Sequence, residues 1–449
     1  MKIEIPAHDT TAQALRDDLV SGRTDVVAFV EGQLARARVV ESAVHAFASL
    51  DERAIRLQAE RLKAAAALGG PAPPLFGVPV AIKDIIDTVD FPTACGSPIH
   101  AGRYAAADAT VVRRLRDAGA VIFGKTVTTE FATLHPGPTR NPHNLEHTPG
   151  GSSSGSAAAV AAGVVPVAVG TQTNGSMLRP ASFCGVYGYK PSLGLLPRTG
   201  VFEQSPSLDQ IGVFARCIED LAWVAEQMAG EDGHDSASLG VAPKPLLSVC
   251  LTEPPVTPRL CFVKTPWWPQ VDEEARAAYD TFIARLQGLV TVVEMPAIVL
   301  QTPQWIATVN EAELAFALQR DYAQHADALS PGLRLRVERG RAMPVLDYLV
   351  AKRRMPEVAR AFDAHFAAYD LILCPSALGA APKGLASTGN PIMQTVWSFT
   401  GLPAVSLPLL TLPGGLPLGV QAVAGRHDDA RLLRSARWLV REFAERGSA

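Results

Sequence analysis

The sequence predicts an α/β fold, and three stretches carry the prediction. PAPPLFGVPVAIKD leads through a Pro-rich approach into the short apolar run Val78 to Ile82, the pattern of a buried strand. DATVVRRLRDAGAVIFG joins helical apolar spacing to a second apolar strand, with Gly119 placed to end the helix. Ala157 to Gly170 reads as a buried helix of small residues followed by a strand. Helix and strand alternating in this way build a sheet covered by helices.

The other elements follow in order. From Thr10 to about Ala67, apolar residues recur at three and four (Leu15, Leu19, Val27, Phe29, Val30, Leu34), which predicts covering helices. LDQIGVFARCIEDLAWVAEQMAG fits an amphipathic helix. The Pro- and Gly-richer stretch from Glu231 to Pro258 reads as surface loop. A strand (RLCFVKTP), a helix (DEEARAAYDTFIARLQ) and a strand (VTVVEM) come next, then a helical section from Trp305 to Ala368. LILCPS, AVSLPLL and GVQAVAG are apolar runs of strand type, and a helix from about Asp428 to Arg446 closes the chain. There is no internal repeat and no low-complexity tract.

Composition bounds the function. With 449 residues, 48% apolar and 19% charged, the chain can bury a large core. A net charge of -3 offers no electrostatic footprint for phosphate backbones or anionic lipid, so neither nucleic acid nor membrane is expected as a partner. The six cysteines (Cys95, Cys184, Cys217, Cys250, Cys261, Cys374) lack CxxC spacing, so neither a disulfide framework nor a zinc site is expected. The N-terminus has no apolar h-region, and thiols with no signal peptide point to the cytoplasm.

Thr148 to Ser192 carries the chemistry: TPGGSSSGSAAAVAAGVVPVAVGTQTNGSMLRPASFCGVYGYKPS. Two Gly/Ser-rich turns stand there, and glycine lets backbone N–H groups approach a ligand closely. GxxxxGK[ST] and GxGxxG are absent, which argues against phosphate or dinucleotide cradling. GSSSG can be read as GxSxG, making Ser153 an α/β-hydrolase nucleophile, although the motif is short and the turn is serine-rich. Composition alone would equally allow two flexible loops.

GGSSSGSAAAVAAG followed by GTQTNGSMLRPASFCGVYGYKPS resembles the signature region of the amidase signature family. The likeness extends over GVPVAIKD, DATVVRRLRDAGAVIFGKT, SLDQIGVFARCIEDLA, YDLILCPSA, GLPAVSLP and GLPLGVQAVAG, and is weakest from Glu231 to Ala368. It implies a large mixed β-sheet core covered by α-helices on both faces. It also implies a single amidase domain over 1–449: covering helices over 1–67, signature core over 68–230, a variable substrate wall over 231–368, and C-terminal strands and helix over 369–449.

Carried over by motif, the resemblance makes Ser176 the nucleophile, Ser152 the bridging serine after a cis peptide, and Lys83 the base. The backbone N–H groups of Thr173, Asn174, Gly175 and Ser176 become the oxyanion hole. The chemistry is coherent in itself. A serine hydroxyl needs a base, and a lysine serves once burial lowers it from its free value near ~10.4. Lys83 follows the apolar strand VPVAI, which supplies that burial. No metal and no organic cofactor is implied.

The neighbours of these residues read otherwise. Ser153, Ser154 and Ser156 suit turn formation or a helix N-cap. His135, His143 and His147 read as loop histidines, and Cys95 and Cys184 as small buried thiols.

The common family form is GTDTGGSIRxPA, whereas this chain has Gln172 for the Asp, Asn174 for a Gly and Leu178 for the Arg. The family's usual ion pair is therefore missing. Arg179 takes the next position, and TQTNGSMLRP is similar to a malonamidase-like branch in which an Arg at this offset grips a substrate carboxylate. Arg179 either does so or braces the loop through carbonyls.

The expected activity is hydrolysis of a small-molecule amide or carbamate through an acyl-enzyme, with esterase or urethanase side activity. Two alternatives stand beside it: a glutamyl-tRNA amidotransferase A-type subunit, and a non-catalytic subunit of the same fold. Trp267, Trp268, Trp305 and Trp397 either line an aryl pocket or lie in the core. The assembly is expected to be a monomer or a homodimer.

Overall fold

The computed structural model describes residues 3–5 and 11–447. Thr10, the expected start of the first helical pattern, lies outside these residues, as do residues 1–2 and 6–9 of the N-terminal stretch. Eleven strands form one sheet. They are β1 (Phe47–Ser49), β2 (Pro79–Lys83), β3 (Val121–Thr126), β4 (Val167–Gln172), β5 (Tyr187–Lys190) and β6 (Gln210–Ala215), then β7 (Leu260–Val263), β8 (Val290–Val293), β9 (Leu371–Pro375), β10 (Ala404–Thr411) and β11 (Pro417–Val423). The order is β1-β3-β2-β4-β6-β5-β10-β11-β9-β7-β8.

The sheet is mixed. β2 runs parallel to β3 and β4, β7 runs parallel to β8 and β9, and the other pairs are antiparallel. β2, β3, β4 and β6 are buried at every position, as their near-continuous apolar runs require.

Helices Ala12–Val20, Val26–Glu41 and Glu52–Ala67 fill the expected N-terminal covering region. Asp25 and Asp51 cap the second and third by accepting two backbone N–H bonds each. Between them the chain forms β1, whose three residues pair with β3. Helix Ser154–Ala161, built of small residues, is buried throughout. Its closeness is enforced at Gly155, where a Cβ would fall 2.0 Å from the Ala46 carbonyl oxygen.

One expectation fails within the signature core. The segment read as a single amphipathic helix from Leu208 divides into β6 and helix Ile218–Met228. QIGVFA has apolar residues that satisfy helical spacing, yet both faces of the strand are covered, and in such a setting periodicity does not separate the two states. The Glu231 to Pro258 loop also contains one short helix, Leu246–Leu251. The section from Trp305 to Ala368 is helical as expected, in five α-helices and one short 3-10 helix between Thr302 and Ala368. No helix among the described residues is long and apolar enough to cross a membrane.

β2 and β4 are parallel neighbours, so their C-terminal ends open at the same edge of the sheet, and Lys83 and Gln172 stand there. Ligand crevices of parallel sheets form at that edge.

Candidate active site

Lys83 is the last residue of β2 and is wholly buried. Its Nζ donates to Ser152 Oγ at 2.8 Å and to Thr171 Oγ1, on neighbouring β4, at 2.8 Å. Burial lowers its pKa to about 7, and the charge of Asp209 opposes that shift. A lysine in this setting loses its proton near neutrality.

Ser152 sits in the turn before helix Ser154–Ala161, and the Gly151–Ser152 peptide is cis, as the resemblance implied. The surrounding serines tie the turn down. Ser153 Oγ donates to the Thr171 carbonyl at 3.1 Å, Ser154 Oγ to the Gly150 carbonyl at 2.7 Å, and Ser156 Oγ to the Val169 carbonyl at 3.1 Å. Ser153 precedes the helix but makes no side-chain cap. Its hydroxyl is fully buried and engaged with β4, which is not the exposed position of an elbow nucleophile.

After β4 the chain turns through Thr173, Asn174, Gly175 and Ser176 into helix Leu178–Cys184. Gly175 has φ +83°, the left-handed region that glycine enters without strain. The N–H groups of these four residues donate to no acceptor among the described residues. Four backbone donors without an internal acceptor in one turn are free to meet an anion. Ser176 is 6% exposed, and its hydroxyl makes no hydrogen bond among the described residues. The structure thus joins Lys83 to Ser152 directly, while Ser176 stands unbonded in the adjacent turn.

Gln172 does more than leave an ion pair missing. Its Oε1 accepts from Met177 N at 2.9 Å and Leu178 N at 3.1 Å, and its Nε2 donates to Ser398 Oγ at 3.0 Å. A neutral amide therefore satisfies two free N–H groups at the start of the following helix. The Asn174 side chain points to helix Ile392–Thr400, where its Oδ1 accepts from Thr395 Oγ1 at 3.2 Å.

Arg179 braces the loops. Its Nε donates to the Thr388 carbonyl at 2.7 Å and its Nη2 to the Gly151 carbonyl at 2.6 Å, both close to the serine turns. Nη1 has no partner, and a Cβ at Gly175 would come within 2.5 Å of it. Gln394 Oε1, 3.0 Å from the same point, is also unpartnered. Burial without a counter-charge lowers the Arg179 pKa to about 10. The bracing role foreseen as one option is present, and one donor is left over.

A small cavity adjoins Thr171 and Thr173, walled by Ile85, Ala132, Val201 and Phe202 with Asp209 on its polar side. Asp209 accepts from Thr173 Oγ1 and, at 2.8 Å, from Ser205 N. Burial pushes its carboxyl up to about 6.

None of the four tryptophans singled out lines this cavity. Trp397 is wholly buried against Phe362, Trp268 packs on Phe262 and Tyr279, Trp267 is buried nearby, and Trp305 stacks on Phe399. His143 and His147 bind the carbonyls of Cys184 and Ala381, and His135 is exposed. Cys95 and Cys184 are buried thiols, with Cys95 pushed up to about 12. No group of His, Cys, Asp and Glu suited to a metal ion occurs among the described residues.

Sequence reasoning passed over Thr171, Asp209, Thr388 and Gln394. The first two lie inside GTQTNGS and SLDQIG, where a search for hydroxyl and carboxyl partners of a buried lysine would have met them. Thr388 and Gln394 lie in no recognisable motif.

A mixed eleven-stranded sheet that sets a buried lysine against a serine at the edge where its parallel strands end has the architecture of an enzyme. The chain belongs to the Amidase family, which matches residues 28–433, and its fold is the amidase-signature fold. The A subunit of glutamyl-tRNA(Gln) amidotransferase from Synechococcus sp. (strain WH7803) is 34% identical over 94% of both chains. Its counterpart from Symbiobacterium thermophilum is 34% identical over 98% of both.

Among solved structures, one from a vestigial protein complex that bears on the origins of an s-triazine catabolic enzyme superposes with TM-score 0.89 at 29% identity. It covers 96% of this chain and 98% of that one. Native peptide amidase from Stenotrophomonas maltophilia gives TM-score 0.83 at 26% identity, covering 98% and 97%. The finer likeness to a malonamidase-like branch has no counterpart among these relatives. Relatives named for glutamyl-tRNA(Gln) stand against the expectation of no nucleic-acid partner.

Proposed function

We propose that the protein hydrolyses a small carboxylic amide or carbamate through an acyl-enzyme on Ser176, with Ser152 relaying the proton to Lys83. The observation that carries the reading is the 2.8 Å contact between Ser152 Oγ and a lysine lowered to about 7. Neutral Lys83 takes the Ser152 proton as Ser152 takes that of Ser176, whose oxygen forms a bond to the substrate carbonyl carbon. The resulting oxyanion is met by the free N–H groups of residues 173–176, and loss of one such donor typically costs ~10²–10³ in rate. The relay returns the proton to the leaving nitrogen as the C–N bond breaks. Water then attacks the ester by the same route and frees the acid and Ser176. Esters and carbamates fit the same cycle.

Arg179 Nη1, unpartnered beside Gly175, supports a role in gripping a substrate carboxylate. The six unpaired cysteines support a reducing, cytoplasmic setting.

A second reading is favoured by one observation, the 34% identity to the amidotransferase relatives along nearly the whole chain. In it the chain works with partner proteins and tRNA. Gln172, Asn174 and Leu178, which depart from the common motif, and the net charge of -3 favour the simple hydrolase.

The test is to incubate the purified chain with a fluorophosphonate, locate the adduct by mass spectrometry, and profile amides, carbamates and esters without partners. The expected result is an adduct on Ser176, lost in Ser176→Ala, with turnover of a short amide. An adduct on Ser153, or full turnover in Lys83→Ala, overturns the relay. Glutaminase activity seen only after partner proteins are added selects the second reading.

A further inference from the structure

β4 and β6 pair antiparallel with Gln172 opposite Gln210, so the chain leaving β4 at Thr173 comes level with Asp209, the residue that leads into β6. Thr171 and Thr173 are two apart and project to one face, the face on which Lys83 donates to Thr171. Asp209 stands there too, since it walls the same small cavity as both threonines. The sheet thus sets Lys83, Thr171, Thr173 and Asp209 in a row.

Asp209 is buried and tied at both oxygens. Oδ1 accepts from Thr173 Oγ1, and Oδ2 accepts from Ser205 N at 2.8 Å. Ser205 is gripped from the other side, where its Oγ donates to Glu313. The remaining charges around Asp209 are engaged elsewhere. Arg198 gives it one bond to the backbone carbonyl at 3.2 Å and turns its fork to Asp235 at 2.7 and 2.9 Å. Glu203 lies 3.3 Å from Arg198 with its side chain 42% exposed, and Glu313 also serves Ser207, Tyr348 and Lys352. Among the described residues, Asp209 is left as the charge that opposes the effect of burial on Lys83.

On the reading in which Lys83 is the base, we propose that Asp209 is a positioning residue of the reaction: its carboxylate holds Thr173, the first residue of the turn before Ser176, and its charge acts on Lys83 across Thr171. Thr173 contributes the first N–H of that turn, so fixing its side chain fixes where the N–H points. The charge works in the same direction. Burial pushes the Asp209 carboxyl up to about 6, so Asp209 is ionised where Lys83 gives up its proton, near 7. A negative neighbour favours the ammonium, and without it the lysine would be a weaker base.

pH–rate profiles of the full chain test this, with kcat and KM measured separately on the amide of the panel above that the wild type cleaves fastest. Asp209→Asn removes the charge and keeps both contacts, since its Oδ1 accepts from Ser205 N and its Nδ2 donates to a rotated Thr173 hydroxyl. Its acid limb is expected at least ~0.5 pH unit below that of the wild type. Asp209→Ala loses the contacts as well, and its plateau kcat falls ~10- to 100-fold with KM little changed. Thr173→Val breaks the same bond from the other end, so adding Asp209→Ala to it costs less than ~3-fold more. Glu313→Gln, which loosens the Ser205 loop from outside, leaves the limb in place.

An unmoved limb in Asp209→Asn, an equal move in Glu313→Gln, or fully additive losses in the Asp209→Ala and Thr173→Val pair overturns the proposal. Full turnover in Lys83→Ala overturns the relay itself, whereas a wild-type limb near 7 with no shift in Asp209→Asn removes only the role of Asp209. Should Asp209→Ala not fold, Asp209→Asn decides the charge. Thr173→Val against Thr173→Ser, which keeps the hydroxyl and restores kcat, then decides the hold on the turn.

Discussion

Thr171 Oγ1 accepts from Lys83 Nζ at the same 2.8 Å at which Lys83 donates to Ser152, so two hydroxyls hold a lysine that no carboxylate touches among the described residues. Nothing nearby compensates the charge fully, and burial brings the ammonium to about 7. If neutral Lys83 is the base, kcat/KM rises about tenfold per pH unit on the acid side and levels above about 7. A pH–rate profile of the wild-type chain checks this. A rate independent of pH between ~5 and ~9 would remove Lys83 from the mechanism.

The same shift links stability to pH. Unfolded, Lys83 titrates near its ordinary 10.5, and folded near 7, so between these values the unfolded chain binds more protons. The contribution of this group to stability therefore falls as pH drops from 10.5 to 7. Lys83→Met keeps the volume and removes the linkage. We expect it to be inactive and to gain in Tm relative to wild type most near pH 7, with the gain shrinking toward pH 10. Thermal melts at several pH values read the trend, and a gain that grows with pH contradicts it.

Thr171→Val removes one of the two acceptors without changing shape much. An acceptor favours the ammonium over the amine, so its loss lowers the Lys83 pKa further and moves the acid limb of the pH–rate profile to lower pH. The amine also loses a contact that orients it toward Ser152. Hydrogen bonds of this kind contribute about 1–3 kcal/mol, which sets an expected kcat loss of about 10- to 100-fold. Thr171→Ser, which keeps the hydroxyl, should recover most of the rate. A profile shifted toward higher pH would show that Thr171 does not act as the acceptor.

How much of this was legible in the sequence depends on where each contact is encoded. Lys83, Ser152 and Ser176 stand in dense motifs, and the structure hydrogen-bonds the first two. Thr171 lies within the same motif yet reads as an ordinary strand residue, because nothing local reveals which strand lies beside β2. Arg179 is harder still. Its partner Thr388 is 209 positions away, and only the folded sheet brings the two together. Strand β6 was hidden for a different reason: QIGVFA is buried on both faces, so its apolar residues neither alternate nor reject helical spacing. The tryptophans read equally as pocket or core in the sequence, because size alone suits both.

Gln172 allows the last prediction, since it separates the shape of the loop from its charge. Its Oε1 accepts two N–H groups at the start of helix Leu178–Cys184, just past the turn that holds Ser176. Gln172→Ala leaves both donors without an acceptor in a buried site, at a cost of about 1–3 kcal/mol each, and frees the turn to shift. We expect a Tm lowered by several degrees and a kcat reduced more than KM is raised. Gln172→Glu retains an acceptor oxygen, and a negative charge at a helix start is favourable. Ser398 Oγ, which now accepts from Gln172 Nε2, can rotate to donate to the carboxylate instead. Activity should therefore largely survive in Gln172→Glu and fail in Gln172→Ala. Equal loss in both variants would assign Gln172 to packing rather than to holding the turn.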